Sequence, residues 1–340
     1  MSKIFTHSKI GNLELKNKII MPPMCMYSAD NGKANKFHEI HYGARAIGGV
    51  GLIIVEATAV EPRGRISEKD LGLWSDEQIK SHKQITDICH QFGSKIAVQL
   101  NHAGRKSKVA STIPIAPSAL KFSNDKTYKE PAEIVTNEIN EIKKLFTDAA
   151  KRAKEAGYDA VEIHAAHGFL LYEFLSPITN KREDEYGGSF DNRLRIVLEI
   201  VKKIKQEVDL PLIVRISADE WVDGGWSLQD SVYLSKELEK AGVDAIDVSA
   251  GGNNLLQPNM PKLIPFYQVG YAKEIKQNVK IPTIAVGLVT IPSEAEALLL
   301  GNVCDFVAVG RELIANPNFC LYAAKEFKED IIPQYERGTF

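Results

Sequence analysis

The chain has 340 residues, of which 44% are hydrophobic and 25% are charged, an ordinary composition for a globular enzyme with a large core. Its 42 Lys and Arg against 44 Asp and Glu give a net charge of -2, which argues against nucleic acid as a partner. No apolar run reaches about 18 residues and the N-terminus lacks an apolar segment, so we expect no membrane span, no signal peptide and a cytoplasmic location.

Eight short apolar runs predict eight strands that are buried on both faces. They lie at residues 19–24, 52–57, 95–100, 160–165, 212–217, 245–249, 283–287 and 306–310. Amphipathic segments between them predict helices at 138–156, 192–207 and 227–241, the last between a capping Ser227 and a terminating Gly242. Ahead of the first strand, Gly11-Asn12 predicts the turn of a short hairpin.

Strands that alternate with helices indicate a parallel sheet, and closure into a (β/α)8 TIM barrel fits both the strand count and the chain length. An open doubly wound sheet is the alternative, but its usual GxGxxG fingerprint is absent after the first strand. We therefore predict a single barrel domain over residues 1–340. Its hairpin would cover the bottom of the barrel, and insertions would lie at the top.

Polar residues follow the predicted strands at their carboxyl ends, where barrels carry active sites. If the chain turns between His164 and His167, both imidazoles point into one pocket and hold a carbonyl oxygen. A metal pair is a second interpretation, without an evident third ligand, and buried core histidines are a third. Arg215 follows a buried run and therefore needs an acceptor or an anion.

Cys25 also follows a strand, and it fits a nucleophile, a redox sensor or a buried apolar residue. The four cysteines form no CxxC pair, so we expect no disulfide framework, no zinc site and no iron–sulfur cluster. Gly287 and Gly310-Arg311 close the last two strands, where barrels commonly bind phosphate. Tight turns with a surface arginine are the alternative there.

Taken together and in this order, the strand ends resemble the old yellow enzyme family of FMN-dependent ene-reductases, and within it the thermophilic-like YqjM type. The resemblance covers essentially the whole chain. The matching segments are Pro-Met-Cys-Met-Tyr-Ser at 23–28, Gln-Leu-Asn-His-Ala-Gly-Arg-Lys at 99–106, Glu-Ile-His-Ala-Ala-His-Gly at 162–168, Glu-Phe-Leu-Ser-Pro at 173–177, Asp-Glu-Tyr-Gly-Gly-Ser at 184–189, Gly-Arg-Glu-Leu-Ile at 310–314 and Tyr-Glu-Arg-Gly at 335–338.

This resemblance implies an FMN site. Arg215 would lie near the N1 and O2 edge of the flavin, and Cys25 would tune the flavin potential. Gly287, Gly310 and Arg311 would hold the phosphate. The residues implied to contact the ring system and the ribityl chain are Pro22, Pro23, Met24, Cys25, Ala57, Gln99 and Arg215.

The implied reaction is a ping-pong reduction of the C=C bond of α,β-unsaturated carbonyl or nitro compounds. NADPH or NADH reduces the flavin and leaves, and the alkene then binds over the same flavin face. His164, His167 and Tyr27 would bind the electron-withdrawing oxygen of the substrate. The resemblance also implies a homodimer or homotetramer, in which the tail at about 331–340 carries Arg337 into a neighbouring active site.

The chain departs from the family pattern at two positions. Phe169, in the substrate pocket, stands where the family usually has the tyrosine that donates a proton, so we expect hydride transfer to survive and protonation to be slower or less stereospecific. Tyr27, Tyr172 or a water would have to take its place. Pro22 replaces an expected serine, which removes a hydroxyl and an N–H contact to FMN.

Three other functions stay open. A 2,4-dienoyl-CoA reductase shares this barrel, but its cysteine cluster is missing. A flavin-free lyase or isomerase acting on a phosphorylated substrate would explain the phosphate site, but it normally uses a strand-end base, for which Lys106 and Glu56 are candidates. A flavin-binding protein with little alkene turnover is compatible with Phe169.

Overall fold

A computed structural model describes residues 2–330 and 332–338. Its strands are β1 (Ser8–Ile10), β2 (Leu13–Leu15), β3 (Ile19–Met21), β4 (Leu52–Ala59), β5 (Lys95–Asn101), β6 (Ile115–Ala116), β7 (Ala132–Glu133), β8 (Ala160–Ala165), β9 (Leu212–Ser217), β10 (Ala245–Ser249), β11 (Thr283–Val286) and β12 (Phe306–Ala308). Its α-helices are α1 (Lys36–Ile47), α2 (Ile79–Gln91), α3 (Thr136–Glu155), α4 (Leu170–Leu175), α5 (Phe190–Glu207), α6 (Leu228–Lys240), α7 (Val269–Asn278), α8 (Pro292–Leu300), α9 (Arg311–Ala315) and α10 (Phe319–Phe327).

A closed barrel of parallel strands organises the molecule. Its strand order is β3, β4, β5, β8, β9, β10, β11 and β12, and β12 pairs with β3 to close the ring. These are the eight predicted strands, so the predicted TIM barrel is confirmed. The remaining strands form two small sheets, the β1–β2 hairpin and the β6–β7 pair in the long β5–α3 connection.

The strand ends differ from the predicted ones for identifiable reasons. β3 stops at Met21 instead of residue 24, because Pro22 and Pro23 have no N–H group with which to continue the ladder. β4 continues to Ala59, with a shift in its pairing to β5 between Val55 and Thr58. β11 and β12 stop before Gly287 and Gly310, so both glycines lie in the loops above the barrel.

The three predicted helices are present as α3, α5 and α6. The Ser227 hydroxyl accepts the N–H of Asp230 at the start of α6, and Gly242 follows the helix with φ +92°, as the capping pattern predicts. α5 begins at Phe190, ahead of the predicted residue 192. The Ser189 hydroxyl accepts the N–H of Asn192, which moves the helix start forward.

The N-terminal hairpin closes the bottom of the barrel, as predicted. β1 and β2 pair antiparallel through a turn at Gly11, whose φ is +57°. Ile10, Leu13 and Leu15 belong to the same buried apolar cluster as the lower inward residues of the barrel strands. This plug leaves the carboxyl ends of the strands as the open end of the barrel.

Inward side chains alternate along each strand and therefore fill the barrel in layers. The lowest layer on the four strands β5, β8, β9 and β10 is apolar and consists of Ala97, Ala160, Ile213 and Ala245. Two residues further along are Gln99, Glu162, Arg215 and Asp247, which we call the polar layer. Two residues further still, at the mouth, are Asn101, His164, Ser217 and Ser249. All eight of these polar side chains are buried.

Across residues 2–330 and 332–338, no helix is both long enough and apolar enough to cross a lipid bilayer. The same residues contain no group of three or more His, Cys, Asp or Glu side chains arranged to hold a metal ion.

Candidate active site

The two histidines after β8 lie side by side, because the chain turns sharply between them. His164 is the last inward residue of β8, and His167 has a left-handed backbone with φ 57°. The His167 N–H donates to the Ser217 hydroxyl at 2.9 Å, which holds this turn against β9. The two rings are perpendicular, with centroids 5.1 Å apart, and Nδ1 of His167 lies 3.3 Å from Nε2 of His164.

The surroundings of both imidazoles favour their neutral form. Burial lowers the pKa of His164 well below its ordinary value, with smaller effects from His167 and Arg215. Burial and the charge of Arg215 do the same for His167. The Ala166 N–H donates to Nδ1 of His164 at 3.2 Å, so the proton of this ring is on Nε2. Nε2 of His167 lies 2.8 Å from the Ser249 hydroxyl.

Phe169 borders the histidine pair and offers no proton. Its ring meets His164 edge-on at a centroid distance of 4.8 Å. The Lys106 ammonium lies 5.0 Å from the Phe169 centroid and donates to the carbonyls of His167 and Gly252, each at 2.9 Å. Burial lowers the pKa of Lys106 to about 8.

Tyr172 does not reach this pocket. Its side chain has no exposed surface and packs against Trp226. Its hydroxyl has no hydrogen-bond partner within the described residues. Of the two tyrosines named as substitutes for the missing proton donor, only Tyr27, 49% exposed, is open at the surface.

Cys25 is held as a thiol on the other side of the mouth. Burial raises the pKa of Cys25, and the nearby carboxylates of Asp70 and Glu56 raise it further. The thiol is within hydrogen-bonding reach of the Ala57 backbone and the Tyr27 hydroxyl. A raised pKa disfavours the thiolate, which is the form in which a cysteine acts as a nucleophile.

The polar layer lies directly below the histidine pair. Nε2 of Gln99 donates to Oε1 of Glu162 at 2.8 Å. Nε of Arg215 lies 3.3 Å from Oδ2 of Asp247 and has no hydrogen-bond partner among the described residues. Arg215 therefore has an ion-pair partner, which is one of the two kinds of partner that the sequence predicted for it. Its guanidinium can still donate further hydrogen bonds.

The ends of β11 and β12 form the opposite side of the mouth. Gly310 precedes the first turn of α9, and a Cβ atom there would lie 3.5 Å from both Met24 and Pro22. The Gly287 carbonyl accepts the N–H of Phe266 at 2.7 Å. Arg311 is exposed at the start of α9. Oε1 of the buried Gln268 has no partner in the described part of the chain.

Arg337 is exposed in a short 3-10 segment, Pro333–Gly338. Residues 331, 339 and 340 of the predicted tail lie outside the described residues. The expectation that Arg337 serves a neighbouring subunit stays a prediction.

Several residues of this mouth were missed by the sequence reasoning. Ser217 holds His167, and Glu162 and Asp247 complete the polar layer. The signal was the alternation of side chains along each strand: once Arg215 is known to face inward, Ser217 must do so as well. Lys106 was considered only as a base, and its contacts with backbone carbonyls depend on folding of a loop.

Comparison with known proteins identifies the family. Residues 3–330 match the NADH:flavin oxidoreductase / NADH oxidase family. The chain belongs to this family. The NADPH dehydrogenase of Listeria monocytogenes serotype 4b is 48% identical over 99% of both chains. Among solved structures, morphinone reductase in complex with tetrahydroNAD is 30% identical with a TM-score of 0.83, over 98% of this chain and 94% of that one. A 2-naphthoyl-CoA reductase has a TM-score of 0.88 at 26% identity; this chain covers 52% of that longer chain.

The protein is therefore an FMN-dependent NAD(P)H oxidoreductase of the old yellow enzyme type, as the sequence resemblance predicts. The flavin-free lyase or isomerase does not fit this family. The residues of the mouth fit FMN on structural grounds of their own. Gln268 keeps an unpartnered side-chain oxygen there, and the guanidinium of Arg215 has only its ion pair with Asp247 within the described residues. The absence of a side chain at Gly310 leaves a gap beside Met24 and Pro22.

Proposed function

We propose that this enzyme reduces the C=C bond of α,β-unsaturated carbonyl or nitro compounds with NADPH, in two alternating half-reactions. The observation that carries this proposal is the pair of neutral histidines, His164 and His167, above the polar layer that contains Arg215. A neutral N–H donor and a fixed cation are the groups that stabilise negative charge as it develops on a substrate oxygen and on a reduced flavin.

FMN, when bound, supplies the hydride-transfer chemistry, in which a hydride taken from NADPH is delivered to the β-carbon of the alkene. In the proposal, Gln99, Arg215, Ala57 and the segment from Pro22 to Cys25 hold the ring system and the ribityl chain. Gly287, Gly310 and Arg311 hold the phosphate at the start of α9, where backbone N–H groups of the first turn would donate to the anion. Arg215 orients and stabilises the pyrimidine edge.

His164 and His167 bind the substrate oxygen, assisted by Tyr27. The Nε2–H of His164 is now directed at Nδ1 of His167, and a carbonyl oxygen entering the pocket would take over this donor. The Ser249 hydroxyl holds the far side of the His167 ring. Once the carbonyl oxygen has replaced the contact between the two rings, the proton of His167 can lie on Nδ1 while Nε2 accepts from the Ser249 hydroxyl. Because both rings are neutral, they then donate hydrogen bonds without surrendering a proton to the product.

Proton delivery to the α-carbon is then left to Tyr27 or to water, because Phe169 has no proton and Tyr172 is buried. We therefore propose that the second half-reaction is the slow one. A homo-oligomer in which Arg337 meets a neighbouring active site also belongs to this proposal, supported by its exposure in Pro333–Gly338.

Anaerobic visible absorption tests the proposal. The purified holoenzyme is bleached with NADPH and then given 2-cyclohexenone. Return of the yellow colour with formation of cyclohexanone is the expected result, with reoxidation slower than bleaching. If the colour stays pale until air is admitted, the enzyme is a flavin reductase without alkene chemistry, which refutes the proposal.

A further inference from the structure

The polar layer contains more acidic groups than its single cation can balance. Glu162 and Asp247 have no exposed surface, and Arg215 is 7% exposed. Gln99, the fourth member, is an uncharged amide. If both carboxyl groups were ionised, the layer would carry one uncompensated negative charge inside the barrel, which is strongly unfavourable in a medium of low polarity.

The hydrogen bonds of the two carboxyl groups indicate which of them is protonated. Oε1 of Glu162 accepts from Gln99, whereas Oε2 of Glu162 and both oxygens of Asp247 have no conventional donor in the described residues. The two carboxyl groups are nevertheless within hydrogen-bonding reach of each other. Two carboxylates can only accept, so a bond between them requires a proton on one. Asp247 has the ion pair with Arg215, which favours its charged form.

We propose that Glu162 is a protonated carboxylic acid in the folded enzyme and donates a hydrogen bond to Asp247, which keeps the polar layer electrically neutral. Burial and the neighbouring Asp247 charge raise the pKa of Glu162 well above its ordinary range, and Arg215 opposes this only in part. The groups facing Glu162 are Gln99 from β5, Arg215 from β9 and Asp247 from β10.

A neutral Glu162 has a consequence for the flavin, which rests on the proposed function. Asp247 alone then offsets the charge of Arg215, and the guanidinium N–H groups that Asp247 does not engage stay available to the pyrimidine edge of FMN. An ionised Glu162 would give the layer a net negative charge and disfavour a reduced anionic flavin. Glu162 is thus a positioning residue, which acts through Asp247 and Arg215.

The Glu162→Gln variant is a close mimic of the proposed state. Its amide oxygen accepts from Gln99, and its NH₂ group donates to Asp247, so both hydrogen bonds are kept. Infrared spectra near neutral pH are expected to lose one C=O stretch of a buried carboxylic acid relative to wild type. Glu14→Gln is the control, because Glu14 is an exposed carboxylate paired with Lys9, and it should lose no such band. An unchanged carboxylic-acid region in Glu162→Gln overturns the proposal, and so does a variant that cannot fold.

The flavin midpoint potential tests the second step. This potential reports the ratio of the affinity for reduced FMN to the affinity for oxidised FMN. We expect Glu162→Gln to leave this ratio unchanged, and Glu162→Gln/Asp247→Asn to raise it by about tenfold or more, which is ~30 mV for a two-electron couple. A tenfold rise of the ratio in the single variant would mean that Glu162 is ionised in the wild type. An unchanged ratio in the double variant would mean that the polar layer does not act on the flavin. Either result overturns the proposal. Failure to bind FMN would refute the proposed function while the infrared result still decides the state of Glu162.

Discussion

Replacing Phe169 by tyrosine should restore a proton donor at the histidine pair. The Phe169 ring is fixed edge-on to His164 at 4.8 Å and flanked by the Lys106 ammonium at 5.0 Å. The ring is only partly buried, so a phenol hydroxyl added to it retains access to water. A cation beside the phenol also favours loss of its proton.

The expected gain comes from general acid catalysis, which typically contributes about 10²- to 10⁴-fold. We expect about 10²-fold for Phe169→Tyr in the reoxidation of reduced enzyme by 2-cyclohexenone, equivalent to ~3 kcal/mol of transition-state stabilisation. Reduction by NADPH needs no such proton and should not change. Anaerobic stopped-flow absorption separates the two half-reactions, since each is followed by the flavin colour.

Phe122→Tyr is the matched control for this experiment. The Lys106 ammonium also lies 4.8 Å from the centroid of the Phe122 ring, but this ring stacks on neither histidine and packs against Tyr128 instead. A tyrosine there should leave both half-reactions unchanged. If Phe169→Tyr gives unchanged or slower reoxidation, or if Phe122→Tyr gives the same gain, the assignment of the proton deficit to Phe169 is refuted.

Three further predictions concern other parts of the site and the barrel. Because burial keeps the pKa of His164 and His167 well below the ordinary value, both stay neutral from about pH 6 to about pH 7, below the pH at which Lys106 titrates. The affinity of the oxidised enzyme for 2-cyclohexenone should therefore be flat there; a transition near pH 6.5, the ordinary histidine value, would contradict this. Arg311→Gln should weaken FMN binding by about 10- to 100-fold, the loss of one charge-assisted hydrogen bond, measured by flavin fluorescence on titrating apoprotein. The control is Arg195→Gln, which should have no effect, because the half-buried Arg195 lies on α5 and bonds only to Glu185 and Asn192 within the described residues. Leu15→Ala should lower the free energy of unfolding by about 2–5 kcal/mol, because Leu15 is fully buried in the β1–β2 hairpin that plugs the barrel. Urea denaturation measures this loss, and a loss below about 1 kcal/mol would show that the hairpin does not stabilise the barrel.

The barrel was predictable from the sequence because its strands are buried on both faces and therefore read as continuous apolar runs. β8, β9 and β10 match their predicted ranges. The strand ends were less predictable, since they depend on local chemistry: two prolines stop β3, and an irregular pairing extends β4. Such effects come from single residues and do not alter the hydrophobic pattern.

The site was predictable as a set of strand ends but not as a geometry. That His164 and His167 share a pocket depends on the left-handed backbone of His167 and on its bond to the Ser217 hydroxyl, and neither follows from spacing. The exclusion of Tyr172 depends on its packing against Trp226. The charge state of the polar layer depends on which side chains meet across three strands, information that no single segment of the sequence contains.

The layered barrel explains how this chain can carry phenylalanine at position 169 and still fold stably and bind its flavin. The hairpin plug and the apolar layer stabilise the fold, and the polar layer below the mouth contains the charges proposed to act on the flavin. Phe169 belongs to neither, because it lies in the turn between β8 and α4 and contacts His164 and Lys106. On the proposed mechanism, a change there would alter the proton supply while the proposed cofactor contacts and the core stay in place. Proton donation and hydride transfer would then be separable in this fold, and we expect substitutions at position 169 to alter enone reoxidation without affecting flavin reduction.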